Sequence, residues 1–243
     1  QGDWQLKVVL EAEKAGHEIT PVWNKSNREH TTIGSEPRDV RKAAQQAIQK
    51  AGWTKPWFID ADHINLDTVE RFIDGSDFFT IDVAAYIGRE SDKEQEDAFV
   101  AGIKEHLGQL QATGFEAPIQ ATEKDARTFA KKYLHAAYMA GETYKQIENS
   151  KGAGNFITEV SMDEVPEPQT PVELFFILAM LTYYNVPVQT IAPKFTGRFN
   201  KGVDYVGDIE AFRKEYEANL MAIELAVEKF GLPKELKPSI HSG

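Results

Sequence analysis

The stretch "PWFIDADHINL" (residues 56–66) decides how the rest of the chain is interpreted, because an apolar run ends abruptly inside it. Its first half, "PWFI", has the bulky apolar side chains of a buried strand. Asp60, Asp62 and His63 follow at once. Ligands of parallel sheets bind at the carboxyl ends of the strands, so ionisable residues there indicate a working site. We predict that Asp62 and His63 act on a ligand, with Asp60 as a partner that orients one of them.

The same change from apolar to ionisable recurs along the chain. We predict six strands, in "EITPVW", "PWFIDA", "DFFTIDV", "NFITEVSM", "VQTIAPKF" and "LKPSIHSG", the first of them ending at Trp23. Asp82 closes the third strand, Glu159 the fourth, Lys194 the fifth and His241 the sixth. Five strands with this polarity predict one edge at which the ionisable side chains collect.

Helical segments separate the predicted strands. Thr170, Pro171 and Glu173 have the spacing of a capping box with proline at the first helical position. Further helix starts and stops are expected at Asn65, Asp208, Gly75 and Gly231. Alternating strands and helices are typical of an α/β fold with a parallel sheet. The long stretch between the third and fourth strands has a helical pattern, which predicts a helical insertion over residues 90–150.

Composition restricts the class of protein. The chain has 243 residues, no cysteine and a formal net charge of −11. The absence of cysteine excludes disulfides and thiolate metal ligands, and the negative charge disfavours non-specific nucleic-acid binding. No apolar run approaches the roughly 20 residues that a membrane helix needs. We expect a soluble, cytoplasmic protein that acts on a small molecule, with neither a nucleic-acid nor a membrane partner.

Two imidazoles and two carboxylates from distant segments predict a metal site. His63 and His241, with Asp62 and Glu159, come from separate strand ends. Nitrogen and oxygen donors without a thiolate suit a borderline or hard divalent cation. A lone strand-end histidine is commonly structural, whereas two beside two acids favour metal binding. Glu159 lies within its strand, where burial is expected to raise the pKa of its carboxyl and suit it to proton transfer.

Two loops concentrate positive charge in an otherwise acidic chain. "KFTGRFNKGVDY" (residues 194–205) follows the fifth strand and "NKSNREHTT" (residues 24–32) follows the first. Each is either a solvated loop or an anion site, and the planar guanidinium of arginine suits a carboxylate. The candidate substrate-binding residues are Lys25, Ser26, Arg28, Asp82, Lys194, Arg198 and Lys201. Asp163 and Glu164, in the loop after the fourth strand, are predicted to be solvated.

Several common catalytic motifs are missing from the sequence. It contains no G-x-G-x-x-G opening a helix after a strand, no P-loop and no G-x-S-x-G elbow. Nicotinamide chemistry, nucleotide hydrolysis and serine-hydrolase chemistry are therefore disfavoured.

Several segments, in order along the chain, resemble the tagaturonate epimerase family. They are "IDADHINLDTVERFIDGSDFFTID", "EVSMDE" followed by "TP", "GRFNKGVDYVGD" and the terminal "SIHSG". The resemblance implies a TIM-type (β/α)8 barrel of which about six strands are present, as a single domain over residues 1–243 that lacks its N- and C-terminal parts. It also implies an isomerase, a metal-dependent C4 epimerase that interconverts tagaturonate and fructuronate.

The resemblance implies a role for each candidate. His63 and His241 would be metal ligands, Asp62 the proton acceptor and Glu159 the proton donor. Asn200, in the "GRFNKG" loop, would be the third ligand, since its amide oxygen suits a hard ion. The cofactor would be a divalent cation such as Mn, Fe, Ni, Zn or Mg.

The positions of the reacting atoms narrow the mechanism. The two ketohexuronates differ at C4, whereas the ketone is at C2, so no enolate stabilises direct removal of the C4 hydrogen. Inversion then needs transient oxidation by a nicotinamide, for which the sequence lacks a dinucleotide motif, or cleavage and re-formation of the C3–C4 bond. We expect the second, retro-aldol route.

Two alternatives remain open on the residues alone. A metal-dependent sugar isomerase or class II-like aldolase would use the same constellation, and product analysis separates these activities. A non-catalytic sugar-acid-binding protein would keep the cationic loops but could dispense with Asp62 and Glu159, and both are present.

Overall fold

The computed structural model describes residues 2–112, 118–200 and 202–241. The helices are α1 (Gly2–Lys14), α2 (Asn27–Ile33), α3 (Pro37–Ala51), α4 (Lys93–Gly102), α5 (Glu123–Lys151), α6 (Pro171–Tyr183) and α7 (Ile209–Phe230). The strands are β1 (Val22–Ser26), β2 (Phe58–Ile64), β3 (Phe78–Asp82), β4 (Gly108–Leu110), β5 (Ile119–Ala121), β6 (Ile157–Ser161), β7 (Thr190–Ala192) and β8 (Lys237–Pro238). Short 3-10 helices occur at Val69–Phe72, Ala84–Tyr86 and Lys104–His106.

The chain forms two compact units. The first unit comprises Gln1–Ile81 and Lys145–Ile157, and the second comprises Asp82–Tyr144 and Thr158–Gly243. Within the described residues, no helix combines the length and the apolar character needed to span a membrane.

Parallel strands lie at the centre of the first unit. β1 pairs with β2, with Trp23 opposite Ile59 and Ser26 opposite Asp62, and β2 pairs in turn with β3. Helix α1 packs against α3, and the apolar core that they share with the strands includes Leu6, Trp23 and Ile59. Parallel pairing in register therefore brings the carboxyl ends of β1 and β2 side by side.

The second unit contains the parallel strands β6, β7 and β8 in that order. Glu159 lies opposite Thr190 and Ser161 opposite Ala192, and β7 also pairs with the short β8. Helix α6 is apolar on nearly every side, as expected of a helix buried within a core. Helix α7 packs against α6. β4 and β5 form a separate antiparallel pair.

The predicted α/β fold with parallel strands is confirmed. Over the ranges described, the strands of neither unit close into a barrel, and the (β/α)8 barrel stays a prediction. The first strand begins later than predicted and continues past Trp23 to Ser26. The β4–β5 pair lies between α4 and α5, where the pattern predicts helix. Gly108 has a φ of 125°, which interrupts helical geometry where β4 begins.

Capping side chains set the helix boundaries as predicted in two places. Thr170 accepts from the backbone N–H of Glu173, and the Glu173 side chain accepts in return from the N-cap backbone, which starts α6. The Asp208 side chain accepts from the backbone N–H groups of Glu210 and Ala211 and so starts α7, and Gly231 ends that helix with a φ of 66°.

The prediction that a helix starts at Asn65 is wrong. The Asn65 side chain accepts from the backbone N–H of Asp67 and from the hydroxyl of Thr68, which closes a turn instead of capping a helix. A 3-10 helix begins only at Val69.

Glu173 ties α5 to the start of α6 in the second unit. Its Oε1 accepts from Lys132 Nζ at 2.7 Å and from Tyr133 Oη at 2.8 Å, and its Oε2 accepts from the Thr170 N–H at 2.9 Å. Burial disfavours the charged carboxylate, but these donors outweigh it and lower the pKa of Glu173. The folded protein therefore binds this proton less tightly than the unfolded chain does.

We predict that Glu173→Gln destabilises the protein by about 1–3 kcal/mol at neutral pH, and that the loss shrinks on acidification. Because folding lowers the pKa of Glu173, its stabilisation is present above the ordinary value of 4.5 and disappears as pH falls through the lower folded value. Thermal unfolding of both proteins between about pH 7 and pH 3 measures the effect. The exposed Glu224→Gln on α7 is the control. A difference in Tm that stays constant with pH would contradict this account.

Candidate functional site

Strand β2 is irregular where its ionisable residues lie. Ala61 pairs with Phe79 and Ile64 with Ile81, so β2 has one more residue than β3 over this interval. His63 has a φ of 51°, in the left-handed region that few non-glycine residues adopt. Such bulges redirect side chains and occur often beside active sites. The backbone thus removes His63 from the regular alternation of the strand.

The three ionisable residues of β2 differ in their surroundings. Asp60 is 7% exposed, and its carboxylate accepts from the backbone N–H of Thr80 at 3.2 Å and from Thr80 Oγ1 at 3.0 Å. Asp60 therefore fastens β2 to β3. The side chains of Asp62 and His63 are 16% and 21% exposed, and His63 Nε2 lies 3.8 Å from Asp62 Oδ1. These two side chains are accessible to a ligand.

Of the candidates next to β1 and β3, Ser26 and Asp82 bond to nearby backbone groups. Ser26 Oγ accepts from the Glu29 N–H at 3.2 Å, and Glu29 Oε2 accepts from the Ser26 N–H at 2.9 Å, a capping box that starts α2. Lys25 is half-buried and Arg28 is exposed on the first turn of α2. In the second unit, Asp82 accepts a backbone N–H two residues further along and turns the chain after β3.

In the second unit, His241 lies between two carboxylates. Its Nε2 is 2.7 Å from Glu159 Oε1, and its Nδ1 is 3.3 Å from Asp163 Oδ1. The Ser161 hydroxyl donates to the same Asp163 oxygen. Glu159 and Ser161 belong to β6, and His241 follows β8. The structure thus brings Glu159 and His241 together and adds Asp163 to them.

The charge state of this cluster differs from the sequence-based expectation. Burial raises the pKa of Glu159, but the hydrogen bond with His241 outweighs burial, and the pKa of Glu159 is lowered. The predicted raised pKa is therefore wrong, because a cationic partner lies beside the buried carboxyl. Burial likewise opposes the imidazolium, yet Asp163 and Glu159 raise the pKa of His241 to about 10. At neutral pH His241 is a cation paired with the Glu159 carboxylate.

Sequence reasoning missed Asp163, which was predicted to be solvated. Its side chain is only 16% exposed and faces His241. The signal lay in the spacing, since Glu159, Ser161 and Asp163 alternate with a period of two. In an extended segment that period puts side chains on one face. Extending the strand pattern by two residues would have grouped Asp163 with Glu159.

The loop after β7 holds the remaining candidates. The backbone N–H of Lys194 donates to Gln169 Oε1 at 2.7 Å. Arg198 and Asn200 are exposed. Lys201 lies outside the described residues. The roles predicted for Asn200 and Lys201 therefore stay predictions.

We predict that Asp60→Ala lowers the free energy of unfolding by about 1–3 kcal/mol, because it removes the carboxylate that accepts from the buried Thr80 N–H and hydroxyl. Asp62→Ala is the matched control, two residues along the same strand, and should change stability by less than about 0.5 kcal/mol. Urea unfolding midpoints compare the two variants. Equal midpoints would show that Asp60 does not fasten the strands.

Comparisons of the sequence and of the structure both find relatives of this chain. The sequence model of the tagaturonate epimerase family (UxaE) matches residues 10–243. The tagaturonate/fructuronate epimerase of Thermotoga maritima is 28% identical over 229 residues, which are 90% of this chain and 46% of that protein. A glycerol-complexed crystal structure of fructuronate-tagaturonate epimerase UxaE from Cohnella laeviribosi matches with a TM-score of 0.77 at 24% identity. That match covers 100% of this chain and 50% of the other.

A more distant structure shares the fold alone. The probable tagatose 6 phosphate kinase of Sinorhizobium meliloti 1021 matches with a TM-score of 0.54 at 9% identity, covering 100% of this chain and 56% of that one. The chain spans about half the length of the relatives it matches. Because the family model covers nearly all of the sequence, the chain belongs to the tagaturonate epimerase family.

Proposed function

We propose that the protein takes part in interconverting D-tagaturonate and D-fructuronate, as a C4 epimerase of cytoplasmic hexuronate catabolism. The observation that carries the proposal is the cluster of Glu159, Asp163 and His241 at the strand ends of the second unit. These residues lie inside the region that the epimerase family model matches. A buried acid held by an imidazole is equipped to move a proton at a sugar hydroxyl.

The donor groups fit a divalent cation. Nδ1 of His241 and an Asp163 oxygen lie 3.3 Å apart, and Glu159 holds the opposite ring nitrogen, as carboxylates do behind metal-bound imidazoles. We propose Asp163 and His241 as ligands of one such ion, with His241 giving up its Nδ1 proton when the ion binds. His63 is a further nitrogen donor by the resemblance. Asn200 is a further oxygen donor by the resemblance. The absence of thiolates favours Mn, Fe, Ni, Zn or Mg.

A bound cation would supply Lewis acidity toward the C2 carbonyl and its neighbouring hydroxyl. Asp62 accepts the proton of the C4 hydroxyl, and the C3–C4 bond then breaks to give an aldehyde at C4 and an enediolate at C2–C3. Rotation of the aldehyde and re-formation of the bond on its other face invert C4. This route follows from the substrate, because the C4 hydrogen is not adjacent to the carbonyl.

Glu159 returns a proton to the new C4 oxygen. Its pKa is lowered by His241, so the carboxyl is ionised at neutral pH and must first accept the proton that it delivers. Glu159 takes this proton from solvent and Asp62 returns its own to solvent, so each turnover is balanced. His241 Nε2 holds the Glu159 carboxyl in place. The substrate carboxylate is held by cations from the two loops, for which the candidates are Lys25, Arg28, Lys194, Arg198 and Lys201, with Ser26 and Asp82 as polar contacts.

The proposed function predicts that the protein converts fructuronate to tagaturonate, and that Asp62→Asn lowers turnover by about 10²–10⁴-fold. Asparagine keeps the shape of the side chain but cannot accept the C4 hydroxyl proton. Chromatography of the two sugars measures the conversion, and treatment with a chelator followed by added Mn, Ni or Zn tests the cation. Unchanged turnover in Asp62→Asn would remove that residue from the reaction. Formation of an aldose or of cleaved products would favour the isomerase or aldolase alternatives.

The retro-aldol route predicts that epimerisation in deuterated water leaves the hydrogen on C4 in place. The route breaks a carbon–carbon bond and never removes that hydrogen. Proton NMR of the product measures its retention, with the exchange of the hydroxyl protons as the internal control. Solvent deuterium at C4 would exclude bond cleavage and favour direct proton abstraction.

A further inference from the structure

The arginines of this chain divide into two groups. Six have side chains engaged by a carboxylate or an aromatic ring, namely Arg38 with Asp74, Arg41 with Asp77, Arg71 with Glu36, Arg89 with Tyr86, Arg127 with Asp97 and Arg213 with Glu217. Within the part of the chain that the structure describes, the side chains of Arg28 and Arg198 have no such partner. In a chain with a net charge of −11, an arginine without a carboxylate partner is available for an anionic ligand.

Arg198 follows one of the strands whose ends carry the cluster of Glu159, Asp163 and His241. It lies six residues after the end of β7, and β7 pairs with both β6 and β8. The register puts Ala192, the last residue of β7, opposite Ser161, whose hydroxyl donates to Asp163. The loop that carries Arg198 therefore begins at the edge of the second unit where Asp163 and His241 lie.

The side chain of Tyr205 packs against the backbone of this loop. A Cβ added to Gly197 or to Gly207 would lie 2.3 Å from Tyr205 Oη, so both positions admit the ring only because they are glycine. The Tyr205 hydroxyl donates to the Thr196 carbonyl at 3.0 Å. The ring also packs against Phe199 and Phe212, with centroids 4.8 and 5.6 Å away. A rigid aromatic ring therefore fixes the base of the loop.

The backbone of Arg198 is held directly beside this ring. Its N–H donates to the Val206 carbonyl at 2.9 Å, and its own carbonyl accepts from the Val206 N–H at 3.2 Å. Gly197 and Tyr205 are the chain neighbours of this bridged pair. Anchoring the backbone reduces the conformational freedom that the guanidinium loses when it binds a carboxylate.

We propose that Tyr205 is a positioning residue that fixes Arg198, and that Arg198 distinguishes hexuronates from neutral ketohexoses by pairing with the C6 carboxylate. The substrate class rests on the proposed function, whereas the selectivity for an acid can be measured without turnover. A bidentate arginine–carboxylate pair has the geometry that this discrimination needs. A site that pairs with a charged group rejects the analogue that lacks it, because the guanidinium is then left without its partner.

The test compares binding of D-tagaturonate and of D-tagatose, which has a hydroxymethyl group in place of the carboxylate. Calorimetric titration gives both dissociation constants for the unsubstituted protein and for Arg198→Ala, Arg198→Lys, Tyr205→Ala and Tyr205→Phe. Arg198→Ala should weaken tagaturonate roughly 10- to 100-fold and leave tagatose unchanged. Arg198→Lys, which keeps the charge without the fork, should recover part of the loss.

Tyr205→Ala should reproduce the selective loss although Arg198 is intact, and Tyr205→Phe, which keeps the ring, should retain most of the selectivity. Arg213→Ala, an exposed arginine paired with Glu217 on α7, is the matched control and should change neither constant. Where Tyr205→Ala fails to fold, Gly207→Ala tests the same contact by crowding the ring.

Three results would overturn the proposal. One is an equal loss for both sugars in Tyr205→Ala, which is what a purely structural role gives. Another is a selective loss in Arg28→Ala but not in Arg198→Ala. The third is equal binding of the two sugars by the unsubstituted protein, with or without turnover. A protein that prefers the acid through Arg198 but epimerises nothing would instead contradict the proposed function alone.

Discussion

A carboxylate buried on a strand needs a positive partner, and His241 is that partner for Glu159. The glutamate is 3% exposed, and without the ion pair its charge would be strongly disfavoured. The histidine comes from the far end of the sequence, so this pair joins β6 to the segment after β8. Asp163 adds a second carboxylate at the other ring nitrogen. Glu159 and Asp163 are therefore both held at this imidazole.

Parallel strands explain why such groups collect. Every parallel strand presents its carboxyl end at the same edge, and the backbone there no longer has to complete a ladder. In the first unit β2 shows this freedom, since the left-handed backbone of His63 takes it out of the regular alternation of the strand. In the second unit the loop after β7 is irregular in another way, because the ring of Tyr205 packs against both Gly197 and Gly207. The strands form a rigid scaffold, and the segments that follow them carry the side chains available for binding and catalysis.

Local patterns were predictable because their causes are local. The capping box at Thr170 and the glycine at residue 231 act within one helical turn, so the sequence alone contains the interacting groups. Asn65 shows the limit of this approach. Its side chain accepts from Asp67 and Thr68, two and three residues along, as a turn requires, and a helix start has the same signature in the sequence.

By itself the sequence determined the alternation of strands and helices, the ionisable strand ends and the family to which the motifs point. Burial and polarity along a strand follow from periodicity, which needs no knowledge of distant residues. Only the tertiary structure decided that Asp60 bonds to a neighbouring strand, that Asp163 faces His241, and that the pKa of Glu159 is lowered. Each of these depends on a partner from another element, and the energy of a buried charge is set by what lies within a few ångströms of it.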